Sequence, residues 1–285
     1  MYYGVIVISV LLFGVNFALN KQYQKRIGSG FFPTFFLATL SSSAGVIVLF
    51  PLNEFRFEFT LFAFLMAATA TVNSLCLNFC SLKTLGKVNL SLYSLFMMLG
   101  GMVLPSVVGV LFFEEGMTWA KGICYAIIVI SLMITVEKSD KKGGWIYYAG
   151  VFVLNGMSGV ISKIYQAADY PKISSSGYSL LCATTTLVVA GTLALILFPS
   201  YRKKFRPSAA PFGFTSGVFN RVANLLLLIA LAHVPASVQY PMVTGGVMIV
   251  STVIAAFSAN KPTKKQWIAV GLSFVGILLL VTIPI

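Results

Sequence analysis

Charge is scarce in this chain: 9% of its 285 residues are Asp, Glu, Lys or Arg, with seven acids and a single histidine. So small a charged fraction cannot clothe a soluble domain. All four cysteines, Cys76, Cys80, Cys124 and Cys182, fall inside apolar runs. Cys76 and Cys80 share a helix face, but no histidine or carboxylate completes a metal-ligand set, so they are read as small packing residues. No metal or cofactor is expected. The acids Glu54, Glu58, Glu114, Glu115, Glu137, Asp140 and Asp169 lie in loops or at helix ends. A proton relay through a bilayer usually needs an embedded carboxylate or histidine, so proton-coupled schemes of that kind are disfavoured. Clusters of acid, base and nucleophile are missing as well, and no catalytic residue is assigned.

What fills the chain is apolar: 58% of residues are hydrophobic. Runs long enough to cross about 30 Å of hydrocarbon, which takes about 20 helical residues, occur at 2–20, 31–50, 59–80, 88–112 and 117–136, then at 145–165, 177–198, 211–231, 236–258 and 266–284. The first run lacks a basic start and a cleavage pattern, so it is expected to be retained as a span. The expected fold is an all-α integral membrane protein with ten transmembrane helices.

The second half repeats the first. Gly14, Asn16, Asn20, Lys21, Tyr23 and Gln24 return as Gly156, Ser158, Ser162, Lys163, Tyr165 and Gln166, offset by 142. Asn78, Leu85, Val88, Ser91, Gly100 and Met102 return as Asn224, Leu231, Val234, Ser237, Gly246 and Met248, offset by 146. Residues 1–138 and 139–285 are thus expected to be two five-helix repeats. An odd number of crossings inverts the second repeat, which places a pseudo-two-fold axis in the membrane plane and a cavity with two near-equivalent mouths between the halves.

The net charge of +13 is distributed, not pooled for nucleic acid. One set of alternate loops holds fifteen basic residues, among them Lys25, Arg26, Lys83, Lys87, Arg202, Lys203, Lys204 and Arg206, whereas the other set holds Arg56, Lys121, Lys163 and Lys172. Basic loops stay in the cytoplasm, so both termini are expected outside and 202–206 inside, most simply in the cell membrane. Lys21 and Lys163 close their helices and read as interface anchors. His233 reads as a loop residue.

Polar side chains inside spans mark faces turned away from lipid. Ser9, Phe13, Asn16, Asn20 and Tyr23 follow one face of the first helix, and Asn155, Ser158, Ser162 and Tyr165 follow the matching face of the sixth. Thr71, Ser74, Asn78 and Ser81 stripe the third span, and Ser216, Asn220 and Asn224 the eighth. Such residues either line a cavity or join helices by hydrogen bonds of about 0.5 to 2 kcal/mol. Arg221 is different, since a mid-span charge costs at least about 2.5 to 3.5 kcal/mol. With no carboxylate in any span, it contacts an anionic substrate group, bonds to neighbouring amides and carbonyls, or snorkels to the helix end. Gly100, Gly101 and Pro105 interrupt one span, and Pro241, Gly245 and Gly246 its counterpart, with Tyr93, Gln239 and Tyr240 beside them. Such paired breaks point to a binding region or to close packing. Gly271 and Gly276 are read as packing or dimer-contact positions, which leaves a homodimer open.

Particular segments carry a resemblance. Phe13-Gly14-Val15-Asn16-Phe17, Ala230-Leu231-Ala232-His233-Val234-Pro235-Ala236-Ser237, and Lys261-Pro262-Thr263-Lys264-Lys265-Gln266-Trp267-Ile268 followed by Gly271 and Gly276 resemble the drug/metabolite transporter superfamily, in particular its ten-helix members with paired EamA-type domains. The resemblance spans nearly the whole chain and implies alternating-access transport. It departs from the family where Glu114 or Glu115 of the first half is answered by Asn260 and Lys261, and in the termini, which members usually keep in the cytoplasm. The absence of an embedded carboxylate sets the chain apart from small multidrug resistance proteins, which use a membrane Glu for cation and proton. Asn16 to Lys21 is similar to the Asn-Lys helix end of nucleotide-sugar and triose-phosphate branches.

The expected function is export or exchange of a small polar metabolite across the lipid bilayer, with amino acids or related carboxylates foremost and phosphorylated metabolites or nucleotide sugars as the alternative. A non-transporting scaffold or a membrane enzyme is the third reading. The expected lining is Asn16, Asn20, Ser74, Asn78, Tyr93, Asn155, Ser158, Asn220, Arg221, Asn224, Gln239 and Tyr240.

Overall fold

The computed structural model describes residues 2–88, 90–112, 145–231, 236–258 and 261–282, with position 233 and scattered positions between 119 and 134. Every regular element among the described residues is helical: α1 (Tyr2–Ile27), α2 (Phe31–Leu52), α3 (Leu61–Lys87), α4 (Leu90–Phe112), α5 (Trp145–Ala167), α6 (Ser175–Tyr201), α7 (Ala210–Leu231), α8 (Ala236–Ala256) and α9 (Lys264–Thr282). The span expected at 117–136 falls largely outside the described residues. Helices α1 to α6 are long and apolar enough to cross a bilayer, where only a helix or a closed barrel can satisfy the backbone internally. The chain is a multi-pass integral membrane protein.

Polar residues set the helix ends. Thr60 caps α3 by accepting from the Ala63 amide at 3.2 Å, and Ser174 caps α6 by accepting from the Gly177 amide at 3.0 Å. Helix α1 runs well past its apolar stretch because one face of its last turns, with Lys21, Tyr23 and Ile27, is buried in protein. Lys21, expected to anchor at an interface, is instead only 8% exposed and donates to the Val88 carbonyl at 2.8 Å, just beyond the end of α3. Carbonyls there have no intrahelical partner, which is why a buried ammonium is accepted. Tyr23 is likewise buried and donates to the Pro33 carbonyl at 2.7 Å. Lys163, the repeat mate of Lys21, is half-buried.

Two apolar clusters mark opposite ends of the bundle. At one end Tyr23, Ile27, Phe32, Leu82 and Ala209 gather the finish of α1, α3 and α6 with the start of α2 and α7. At the other, Ala63, Ala67, Tyr165 and Leu181 gather the start of α3 and α6 with the finish of α5. There the connection before α3 is tied to the one before α6: Glu58 accepts from the Ser174 amide at 2.7 Å and from the Ser174 hydroxyl. These bonds hold the Glu58 carboxyl below its ordinary range.

Contacts between the halves recur in pairs. Helix α1 packs on α7 as α3 packs on α5; α1 packs on α8 as α4 packs on α5; α2 packs on α7 as α3 packs on α6. Helices α2 and α6 meet each other, as do α4 and α8. Exchanging α1–α4 with α5–α8 maps this set onto itself. The closest approaches repeat too: a Cβ on Gly14 would sit 2.3 Å from Val250, and one on its mate Gly156 would sit 2.4 Å from Leu104.

Candidate functional site

A cavity of about 230 Å³ lies between the two end clusters and is bounded by all of α1 to α7. Its walls are mostly amides and hydroxyls. From α1 come Asn16 and Asn20, from α3 Ser74, Asn78 and Ser81, from α4 Tyr93, from α5 Asn155, and from α7 Ser216, Asn220 and Arg221. Phe17 packs edge-on against Tyr93, with centroids 5.2 Å apart, and closes one wall with an apolar ring.

The hydrogen bonds decide which groups stay available. Ser216 Oγ donates, shared, to Asn16 Oδ1 at 2.6 Å and Asn20 Oδ1 at 2.7 Å. With both oxygens engaged, the two amide nitrogens are the donors these cavity-lining side chains have left to offer. Asn155 does the reverse, since its Nδ2 donates to the Met97 carbonyl at 2.7 Å and its Oδ1 stays an acceptor. Thr71 and Thr186 hydroxyls meet at 2.9 Å and fasten α3 to α6 beside the cavity.

Arg221 stands eleven residues after Ala210 and ten before Leu231, so it lies about 16 Å from the start of α7. That depth leaves no helix end within reach of its side chain. Its Nε is buried without a hydrogen-bond partner. The neighbouring Asn220 carbonyl already accepts from Asn224 Nδ2 at 2.7 Å. Among the described residues no carboxylate pairs with Arg221; the ion pair found there is Arg56 with Glu54, at 3.5 Å on the surface. The guanidinium passes over Gly45 of α2, where a Cβ would come within 2.9 Å of Nε. Gly45 therefore makes the room that Arg221 occupies.

Of the expected lining, Asn16, Asn20, Ser74, Asn78, Tyr93, Asn155, Asn220 and Arg221 meet around this cavity. Ser158 does not: it accepts from Asn73 Nδ2 at 2.8 Å and joins α3 to α5. Asn224 is exposed and folded back on Asn220. The side chains of Gln239 and Tyr240 lie outside the described residues. Sequence reasoning missed Ser41 and Ser42 of α2, which also line the cavity. The three consecutive serines 41–43 in an otherwise apolar span were the available signal.

The helix ends above and below the cavity also correspond. Tyr2 stacks on His233 at 3.8 Å between centroids, joining the start of α1 to the turn after α7. Lys87 Nζ lies 5.3 Å from the Tyr147 centroid, joining the finish of α3 to the start of α5. These are the same helix pair in the two halves.

None of the curated proteins compared matches the chain. The sequence model of the EamA-like transporter family matches residues 142–282, a stretch that covers α5 to α9 and with them Asn155, Asn220 and Arg221. The second half of the chain is an EamA-like transporter domain, and through it the protein belongs to the drug/metabolite transporter superfamily.

Proposed function

We propose that the protein moves a small carboxylate-bearing metabolite, with amino acids foremost, by alternating access through the central cavity. The observation that carries this reading is Arg221: a guanidinium deep in the bundle, facing a polar cavity, with its Nε unpaired and no described carboxylate to neutralise it. A charge held there is costly unless a partner arrives, and a carboxylate matches the paired planar donors of arginine. The amide nitrogens of Asn16 and Asn20 add donors, and Asn155 Oδ1 offers an acceptor for an ammonium group. About 230 Å³ is the volume of about eight waters, which suits a small metabolite and is tight for a nucleotide sugar.

In this reading residues 1–138 and 139–285 are two inverted five-helix repeats, ten spans in all, and the exchange-symmetric helix contacts and the matched closures at Tyr2–His233 and Lys87–Tyr147 support it. Rocking one half on the other would open each mouth in turn. Proteoliposomes preloaded with unlabelled amino acids are expected to take up labelled amino acid by counterflow, and those preloaded with phosphate esters or lipophilic cations are not. Counterflow with phosphate esters alone would reverse the substrate assignment.

We further propose that the basic end of the bundle, with Arg26, Lys83, Lys87 and 202–206, faces the cytoplasm of the cell, so that both termini lie outside. A C-terminal reporter that fluoresces only in the cytoplasm should stay dark; a bright fusion would reverse the orientation.

A further inference from the structure

A second cavity, of about 620 Å³, opens where α1 and α6 end and the two 3-10 turns Arg202–Lys204 and Pro207–Ala209 lead into α7. Four cations line it: Arg26, Lys203, Lys204 and Arg206. None of them pairs with a described carboxylate. Two details show a formed site and not a loose group of lysines. The Arg26 guanidinium is held 4.0 Å above the Phe212 ring while its Nη1 donates to Gln22 Oε1 at 3.2 Å. The Tyr201 hydroxyl donates to the Ile27 carbonyl and so pins the end of α6 to the end of α1, just before Gly28 turns the chain with φ +83°.

Cations gathered around a concavity with no described counter-charge call for an anion of matching size. We propose that this cavity is the headgroup site of an anionic phospholipid. The site adjoins the hydrocarbon: Ile196, 65% exposed, lies five residues before Tyr201, which ends α6 and lines the cavity, a rise of about 7.5 Å along the helix. A lipid whose phosphate sits among the four cations therefore lays its acyl chain along α6. A free phosphate would use the charges but leave that apolar wall and most of the 620 Å³ without a partner. Basic cavities at helix ends are well suited to such headgroups. This inference is independent of what the central cavity transports.

The test compares the protein with its K203Q/K204Q/R206Q variant, which changes exposed side chains only. Both are placed in nanodiscs of phosphatidylcholine alone and of phosphatidylcholine with phosphatidylglycerol, and co-purified lipid is counted by native mass spectrometry. The unaltered protein should retain phosphatidylglycerol in preference, and the variant should lose that preference by at least about tenfold, given the attraction per basic residue near an anionic surface. Equal unfolding temperatures in phosphatidylcholine alone show that the variant is folded. An undiminished preference in the folded variant overturns the proposal. So does inorganic phosphate at millimolar concentration that raises the unfolding temperature as much as phosphatidylglycerol does, since the ligand would then be a soluble anion.

Discussion

Replacing Arg221 by methionine is expected to remove counterflow of the carboxylate substrate while leaving the unfolding temperature unchanged or higher. The two effects have opposite signs because the charge serves the ligand and burdens the fold. Each hydrogen bond to a charged group contributes about 1.5 to 3 kcal/mol, so losing a paired guanidinium–carboxylate contact should lower transport efficiency at least about a hundredfold. The folded protein loses nothing comparable, since Nε has no hydrogen-bond partner to forfeit. It is relieved of a mid-span charge that costs at least about 2.5 to 3.5 kcal/mol. Lysine at 221 keeps the charge but not the planar pair of donors and should fall between, with about a tenfold loss. A structural arginine behaves in the opposite way: methionine would lower the unfolding temperature and the yield together. Counterflow and thermal unfolding on the same preparations separate the two roles.

Helix positions were legible in the sequence because lipid imposes one rule on every span, a run of about 20 apolar residues. The ends were less so. Hydropathy reads the preference of a side chain for water, and the finish of α1 satisfies that preference inside the protein, where Lys21 meets the Val88 carbonyl. The candidate site divides in the same way. Asn16, Asn20, Ser74 and Asn78 lie at helical spacing on single faces, and the cavity gathers them. Ser158 shares that spacing but is taken up by Asn73 of another helix, a partnership no single-helix pattern contains. Ser41 and Ser42 carry no period at all, so their place in the wall depends on how α2 meets α7. Gly45 was silent for a related reason: its use is the absence of a side chain beside Arg221.

Alanine at Gly100 should destabilise the protein strongly, and alanine at its repeat mate Gly246 only mildly. Both glycines sit in the same kind of contact, α4 on α5 and α8 on α1, yet what they touch differs. A Cβ on Gly100 would stand 2.1 Å from the Phe152 carbonyl oxygen and 2.7 Å from its Cα. Backbone inside a helix cannot step aside, so α4 and α5 would have to part. A Cβ on Gly246 would stand 2.8 Å from Val10 Cγ1 and 3.1 Å from its Cγ2, so it meets side-chain methyls and not backbone. Overpacking costs about 1 to 3 kcal/mol and occasionally more, and the backbone case belongs at the top of that range and the side-chain case at the bottom. Thermal unfolding of the two variants in one detergent measures the difference, and equal losses would mean that α4 and α5 are not in backbone contact at Gly100. The contrast also bears on motion. Both contacts join the two halves, so a transport cycle that rocks one half on the other must pass through them. The α8–α1 contact, where side-chain methyls and not a backbone carbonyl fill the crossing, is the freer of the two to slide. Alanine at Gly246 should therefore slow counterflow more than its small stability loss explains.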